Sequence, residues 1–118
     1  AIFLTRFQLG ILYGNSLDAV TPSPCVYLVD KHGDILPGDI VVATDVDGKG
    51  VAKIMWRETD EGYMIMGTTG DSFDSSNYGP VPDEMVAGKI VCQVPRPHMG
   101  RADRKKYLDG KIAHDRQR

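Results

Sequence analysis

The chain has 118 residues, of which 42% are hydrophobic and 25% are charged, which is enough material for one soluble domain with a single core. A formal net charge of -2 and a pI of about 5.9 argue against a general attraction to nucleic acid, so no nucleic-acid partner is expected. The cysteines and histidines lack the spacing of a zinc site, so no metal or cofactor is expected. Cys25 and Cys92 are expected to be buried free thiols, with a disulfide as the alternative outside the cytosol.

Short apolar runs separated by thirteen glycines and seven prolines predict strands and turns rather than helices. Candidate strands, rich in β-branched and aromatic residues, cover residues 2–7, 25–29, 39–43, 51–56, 63–66 and 89–94. Asp47 and Gly48 predict a hairpin between the third and fourth strands, and residues 58–62 predict a second hairpin to the fifth. The fourth strand is therefore expected to be a central strand of an antiparallel meander.

The C-terminal part of the chain differs from the rest. Pro95 and Pro97 are expected to end the pairing of the last strand. The residues beyond them are rich in Lys and Arg, and they predict a short helix with Leu108 and Ile112 on one side, which Gly110 weakens. This basic segment is expected to be a solvated tail, with docking on acidic lipid headgroups or on a partner as the alternative.

These elements predict a mainly β fold, with a hairpin-rich antiparallel sheet in residues 1–97 and a basic C-terminal tail in residues 98–118. The first apolar stretch carries Arg6 and is too short to span a bilayer. Any membrane anchor of the natural protein is therefore expected to lie upstream of Ala1.

Lys53 has the most apolar setting of the lysines, because it stands within the strand that reads Val-Ala-Lys-Ile-Met-Trp. Removal from water disfavours the charged ammonium, and a neutral lysine amine is a competent general base for a hydroxyl nucleophile. The alternative is a lysine on an edge strand with its head group in water. The local pattern leaves both interpretations open.

Two serines are candidate nucleophiles. Ser23 lies between Pro22 and Pro24, which favour an extended backbone that presents the hydroxyl in a defined direction. Thr21 points to the same side of such a segment and is a candidate hydrogen-bond donor to an oxyanion. Ser16 is the reserve nucleophile, and an ordinary loop serine is the alternative interpretation of Ser23.

Further stretches extend this pattern in chain order: Leu-Pro-Gly-Asp-Ile-Val-Val from residue 36, Ser-Phe-Asp-Ser from residue 72, Tyr-Gly-Pro-Val-Pro from residue 78 and Gly-Lys-Ile from residue 88. With these motifs the chain resembles the type I signal peptidase family, and within it the branch that serves conjugative transfer. The stretch from Ser72 to Pro82 is the most specific part of the resemblance. Two positions differ from the family pattern, since Pro24 directly follows Ser23 and Ser76 stands where the family carries an arginine.

The resemblance implies a serine endopeptidase with a coiled antiparallel sheet of the signal-peptidase and repressor-peptidase type. Ser23 matches the family's nucleophile and Lys53 matches its general base, which together replace a Ser-His-Asp triad. Thr21 matches the side-chain donor to the oxyanion. Ser72 and Asp74 match the pair that orients the lysine amine and supports the site.

The implied substrate is the signal or leader segment of a secreted or membrane-inserted precursor, such as a pilin, bound as an extended strand. The implied location is the periplasmic face of the inner membrane, with the membrane surface as a further partner. Two alternatives stay open. One is a self-cleaving repressor-type Ser/Lys peptidase. The other is a catalytically silent homologue that binds peptides or serves in assembly, having lost activity through its differences at Pro24 and Ser76.

Overall fold

The computed structural model describes residues 6–44, 48, 50–69 and 73–116. Six strands form one antiparallel sheet, with a short helix before the last strand and a longer helix after it. In chain order the elements are β1 (Phe7–Leu12), β2 (Cys25–Asp30), β3 (Ile40–Thr44), β4 (Gly50–Thr59), β5 (Gly62–Met66), α1 (Ser75–Tyr78), a single 3-10 turn (Asp83–Met85), β6 (Val86–Val94) and α2 (Arg101–Arg116). The prediction of a mainly β fold with a C-terminal helix is therefore confirmed.

The strands lie in the order β1-β2-β6-β3-β4-β5. Both predicted hairpins are present, because β3 pairs with β4 and β4 pairs with β5. The last strand, β6, lies between β2 and β3 and joins the two parts of the sheet. Since β4 has a hydrogen-bonded strand on each side, the predicted central position of the strand that carries Lys53 is confirmed.

The strand predicted at residues 2–7 overlaps the first observed strand only at Phe7. Residues 1–5 lie outside the described part of the chain, and β1 starts at Phe7 and continues to Leu12. Gln8 and Gly10 interrupt the apolar pattern of β1, which is why residues 8–12 were not predicted to be in a strand. Its apolar residues Phe7, Leu9 and Ile11 instead occur at every second position, as is typical of a strand. The strand pairs with β2 along its whole length.

The core consists of two clusters of buried side chains, which β3 and β4 separate. Successive residues of a strand point to opposite faces, so Ile54 joins the first cluster and Met55 the second. The first cluster consists of Leu12, Leu17, Val20, Cys25, Ile40, Ile54, Met66 and Leu108. The second consists of Val41, Ala43, Met55, Ile65 and Val81. Each fully buried aliphatic side chain contributes about 1.5–3 kcal/mol to folding.

The C-terminal helix α2 belongs to this core. Leu108 is fully buried in the first cluster, and the indole N–H of Trp56 donates a 2.9 Å hydrogen bond to Asp109. The buried guanidinium of Arg104 donates through Nε to the carbonyl oxygen of Gly38 at 2.7 Å. The segment expected as a solvated tail therefore packs against the sheet. No helix within the described ranges is both long and apolar enough to cross a membrane.

The turn that precedes β3 requires a glycine at position 38. Its φ angle of 96° lies in the left-handed region, and a Cβ atom there would collide with the backbone oxygen of Arg101 at the start of α2. A side chain at this position would therefore strain the turn and displace the helix. Part of the Leu-Pro-Gly-Asp motif thus serves the docking of α2.

Candidate functional site

A cavity of about 230 Å³ lies between the end of β1, the turn that follows it and the first half of β4. Its lining residues are Ile11, Leu12, Tyr13, Ser16, Gly50, Val51, Ala52 and Lys53. Because β2, β6 and β3 separate β1 from β4 in the sheet, a cavity shared by these strands requires the sheet to curl. The cavity brings together the predicted general base, Lys53, and the reserve nucleophile, Ser16.

Lys53 is buried on an interior strand, with 6% of its surface exposed. It stands opposite Val41 of β3 and shares a strand face with Val51 and Met55, which both pack in the second cluster. The alternative of an edge-strand lysine with its head group in water is therefore wrong.

Ser16 begins a tight turn that the core holds in place. The N–H groups of Val20 and Thr21 both donate to the carbonyl oxygen of Leu17, each at 2.9 Å. The side chains of Leu17 and Val20 are buried in the first cluster, so the turn is anchored on its inner side. Ser16 itself is half-buried at the wall of the cavity.

Thr21 and Ser23, the predicted oxyanion donor and nucleophile, lie further along the same connection. Thr21 is only 1% exposed, and its hydroxyl oxygen accepts a hydrogen bond from Nε2 of Gln93 on β6. Ser23 is half-buried just before β2. Neither residue is among those that line the cavity shared by Ser16 and Lys53. Their catalytic roles stay predictions from the motif.

Asp74, one of the two predicted supporting residues, is buried at the N-terminus of α1. One carboxylate oxygen accepts hydrogen bonds from the backbone N–H and the hydroxyl of Ser76, at 3.0 and 2.6 Å. The other accepts from the N–H of Gly67, just after β5, at 2.8 Å. Ser76 therefore provides hydrogen-bond donors to the Asp74 carboxylate, at the position where the family carries an arginine. Ser72, the other predicted supporting residue, lies outside the described residues.

The short helix α1 was missed in the sequence, although a signal for it was present. Asp74 and Asn77 form a reciprocal capping pair, a spacing typical of a helix N-terminus. The buried hydroxyl of Ser75 accepts a 2.8 Å hydrogen bond from the N–H of Ile65. The segment around α1 therefore binds the outer edge of β5 and supports the strand next to the one that carries Lys53.

The two cysteines differ in environment. Cys25 is buried, and burial raises the pKa of its thiol above the usual value. Cys92 is exposed, so the expectation that both thiols are buried is wrong for this residue. Both are free in the structure.

No group of three or more His, Cys, Asp or Glu side chains in the described part of the chain is placed to hold a metal ion. Comparisons of the chain with protein families, with characterised proteins and with solved structures found no match. The resemblance to signal peptidases therefore rests on the motifs of this sequence alone.

Proposed function

We propose that this protein is a serine endopeptidase of the signal-peptidase type, in which Lys53 is the general base and Ser16 is the nucleophile. The observation that carries the proposal is the cavity that both residues line, with Lys53 buried on an interior strand. Lysine side chains are seldom fully buried, and a buried lysine at the wall of a cavity is a candidate functional residue. Ser23, the nucleophile suggested by the motif, is the competing candidate.

In this mechanism the neutral amine of Lys53 accepts the hydroxyl proton of Ser16 while Oγ bonds to the carbonyl carbon of the scissile peptide. Collapse of the tetrahedral intermediate breaks the C–N bond, and the Lys53 ammonium gives its proton to the leaving amine. Water then attacks the acyl-enzyme ester and gives a proton to Lys53. The ester C–O bond breaks as Ser16 takes up that proton. The backbone N–H of Ser16 is the first candidate to stabilise the oxyanion.

The proposed substrate is the signal or leader segment of a secreted or membrane-inserted precursor, such as a pilin. The cavity is small and partly apolar, since Ile11, Val51 and Ala52 contribute to its wall, and it therefore suits a small side chain before the cleaved bond. In the described sheet β1 pairs with β2 on one edge only. The proposed substrate adds to the other edge of β1 as an extended strand.

A membrane surface is the second proposed partner, which agrees with a location at the periplasmic face of the inner membrane. Directly paired residues of adjacent strands point to the same side, which places exposed apolar side chains of β1, β2 and β6 on one face. This apolar face consists of Leu9, Ile11, Val26 and Val94, and the exposed Tyr13 follows just after β1. Ile11 and Tyr13 also line the cavity, so docking the face on lipid would hold the site at the membrane surface.

The membrane proposal is tested by sedimentation with vesicles of phosphatidylethanolamine and phosphatidylglycerol. Leu9→Glu combined with Val94→Glu is expected to lower the bound fraction, because charged groups replace apolar ones. Tyr107→Glu, at an exposed position of α2, is the matched control and is expected to bind like the parent. Equal binding of all three proteins contradicts the proposal. Self-association without lipid, lost in the double variant, would assign the face to a second copy of the chain.

The catalytic proposal is tested with peptides that carry small residues before the cleaved bond. Ser16→Ala and Lys53→Met are each expected to lower kcat/KM at least about a thousandfold, whereas Ser23→Ala stays near the parent. Lys89→Met is the matched control, because Lys89 also stands opposite Val41 but does not line the cavity. Loss of activity in Ser23→Ala with retention in Ser16→Ala would return the nucleophile to Ser23.

A substrate-independent test uses a fluorophosphonate, which acylates activated serines. Peptide mapping is expected to locate the adduct on Ser16 in the parent and to find none in Lys53→Met at the same pH. No adduct in the parent, together with binding of the peptides, would favour the catalytically silent homologue. Two fragments from the protein incubated alone at alkaline pH would favour the self-cleaving peptidase.

A further inference from the structure

We propose that Thr68 is a positioning residue that holds the backbone of Ser16 at the cavity. The catalytic effect of Thr68 rests on the proposed function. Its hold on the Ser16 backbone rests only on the hydrogen bonds described next. Thr68 carries no role in the motifs discussed above. It lies two residues after β5, in the segment that connects this strand to α1.

The contact is a clamp on one carbonyl group. The backbone N–H and the hydroxyl of Thr68 both donate to the carbonyl oxygen of Ser16, at 2.5 and 3.0 Å. The hydroxyl oxygen also accepts from the N–H of Ala19, at 3.5 Å. Thr68 therefore binds the turn at two of its backbone groups, those of Ser16 and Ala19. With 8% of its surface exposed, it makes these bonds largely shielded from water.

Thr68 is itself held in place from two sides. The preceding residue, Gly67, donates its N–H to the buried carboxylate of Asp74. On the other side, Met66 at the end of β5 stands opposite Ile54 of β4, the residue after Lys53. A short path of backbone and hydrogen bonds therefore connects the strand of the proposed base to the turn of the proposed nucleophile.

This connection matters because the two groups come from distant parts of the chain. The inner side of the turn is fixed by Leu17 and Val20 in the core, but Ser16 lies outside that anchored part, at the cavity wall. Misplacement of a reacting group by about 1 Å can cost about a hundredfold in rate. Thr68 is the described residue whose side chain restrains the Ser16 carbonyl, so loss of its hydroxyl is expected to loosen Ser16 without unfolding the turn.

The test compares Thr68→Val, which keeps the side-chain shape and loses the hydroxyl, with Thr68→Ser, which keeps the hydroxyl. Thr68→Val is expected to lower kcat at least about tenfold with KM changed less than about twofold, and Thr68→Ser to retain kcat within about threefold. Thr59→Val is the matched control. The Thr59 hydroxyl also bridges two backbone groups of a turn, those of Gly62 and Glu61, but far along β4 from the cavity. Its kcat is expected to equal that of the parent.

Amide hydrogen exchange separates this inference from the proposed function. In Thr68→Val the N–H of Ala19 is expected to exchange faster than in the parent, while that of Val20, bonded within the turn, changes less. Unchanged exchange at Ala19 would overturn the inference that the Thr68 hydroxyl holds the turn. Full kcat in Thr68→Val together with an inactive Ser16→Ala would overturn the positioning role. A parent that cleaves nothing would refute the proposed function and the catalytic role of Thr68, whereas the exchange result would still decide whether Thr68 holds the turn.

Discussion

Asp74→Ala is expected to destabilise the protein by about 2–4 kcal/mol, and the structure shows where this value comes from. The substitution removes the N-cap of α1, for which a loss of about 1 kcal/mol is typical. It also removes the acceptor of the N–H of Gly67, and a buried N–H left without a partner costs about 1–3 kcal/mol. These two losses concern different peptide groups and are added on that basis.

Urea unfolding measures this loss, and the fluorescence of Trp56, the single tryptophan, is a suitable signal because its indole contacts α2. Asp74→Asn serves as the comparison, since an amide keeps one oxygen acceptor, and it is expected to lose about half as much stability as Asp74→Ala. A loss below about 0.5 kcal/mol in Asp74→Ala would refute the reasoning, because it would mean that the segment after β5 does not depend on this carboxylate.

Three further predictions concern the rest of the molecule. Leu108→Ala is expected to cost about 2–5 kcal/mol in urea unfolding, because the side chain is fully buried, and a loss below about 1 kcal/mol would mean that α2 contributes little to the core. Reaction with N-ethylmaleimide is expected to modify Cys92 in the native protein and Cys25 only after unfolding, and equal rates would contradict the burial of Cys25. The guanidinium of Arg6 holds the pKa of Asp30 well below its usual range, so this carboxylate stabilises the fold above about pH 4 and loses that effect as the pH falls further. Asp30→Asn should therefore lower the urea midpoint at pH 6 but less at pH 3, and a difference that grows at low pH would contradict the ion pair.

Local features of the sequence predicted the hairpins well. The turn residues around Gly48 and in residues 58–62 join strands that are neighbours in the chain, so turn chemistry and hydrophobic pattern suffice to pair β3 with β4 and β4 with β5. The same reasoning placed Lys53 on a central strand. The ends of the chain were harder, because Gln8 and Gly10 interrupt the apolar pattern of β1 and α2 shows its buried side only through Leu108 and Ile112.

The candidate site was also only partly predictable from the sequence. The apolar residues around Lys53 made it a candidate base in the sequence, but they left its burial open, and the structure shows that it is buried. Its proximity to Ser16 was not predictable, because β2, β6 and β3 lie between the two strands and only the curl of the sheet brings them to one cavity. The clamp between Thr68 and Ser16 likewise joins residues 52 positions apart. The sequence by itself determined five of the six described strands, the two hairpins and the candidate base, whereas the tertiary structure decided which serine shares its cavity, because long-range pairing sets that geometry and local chemistry does not encode it.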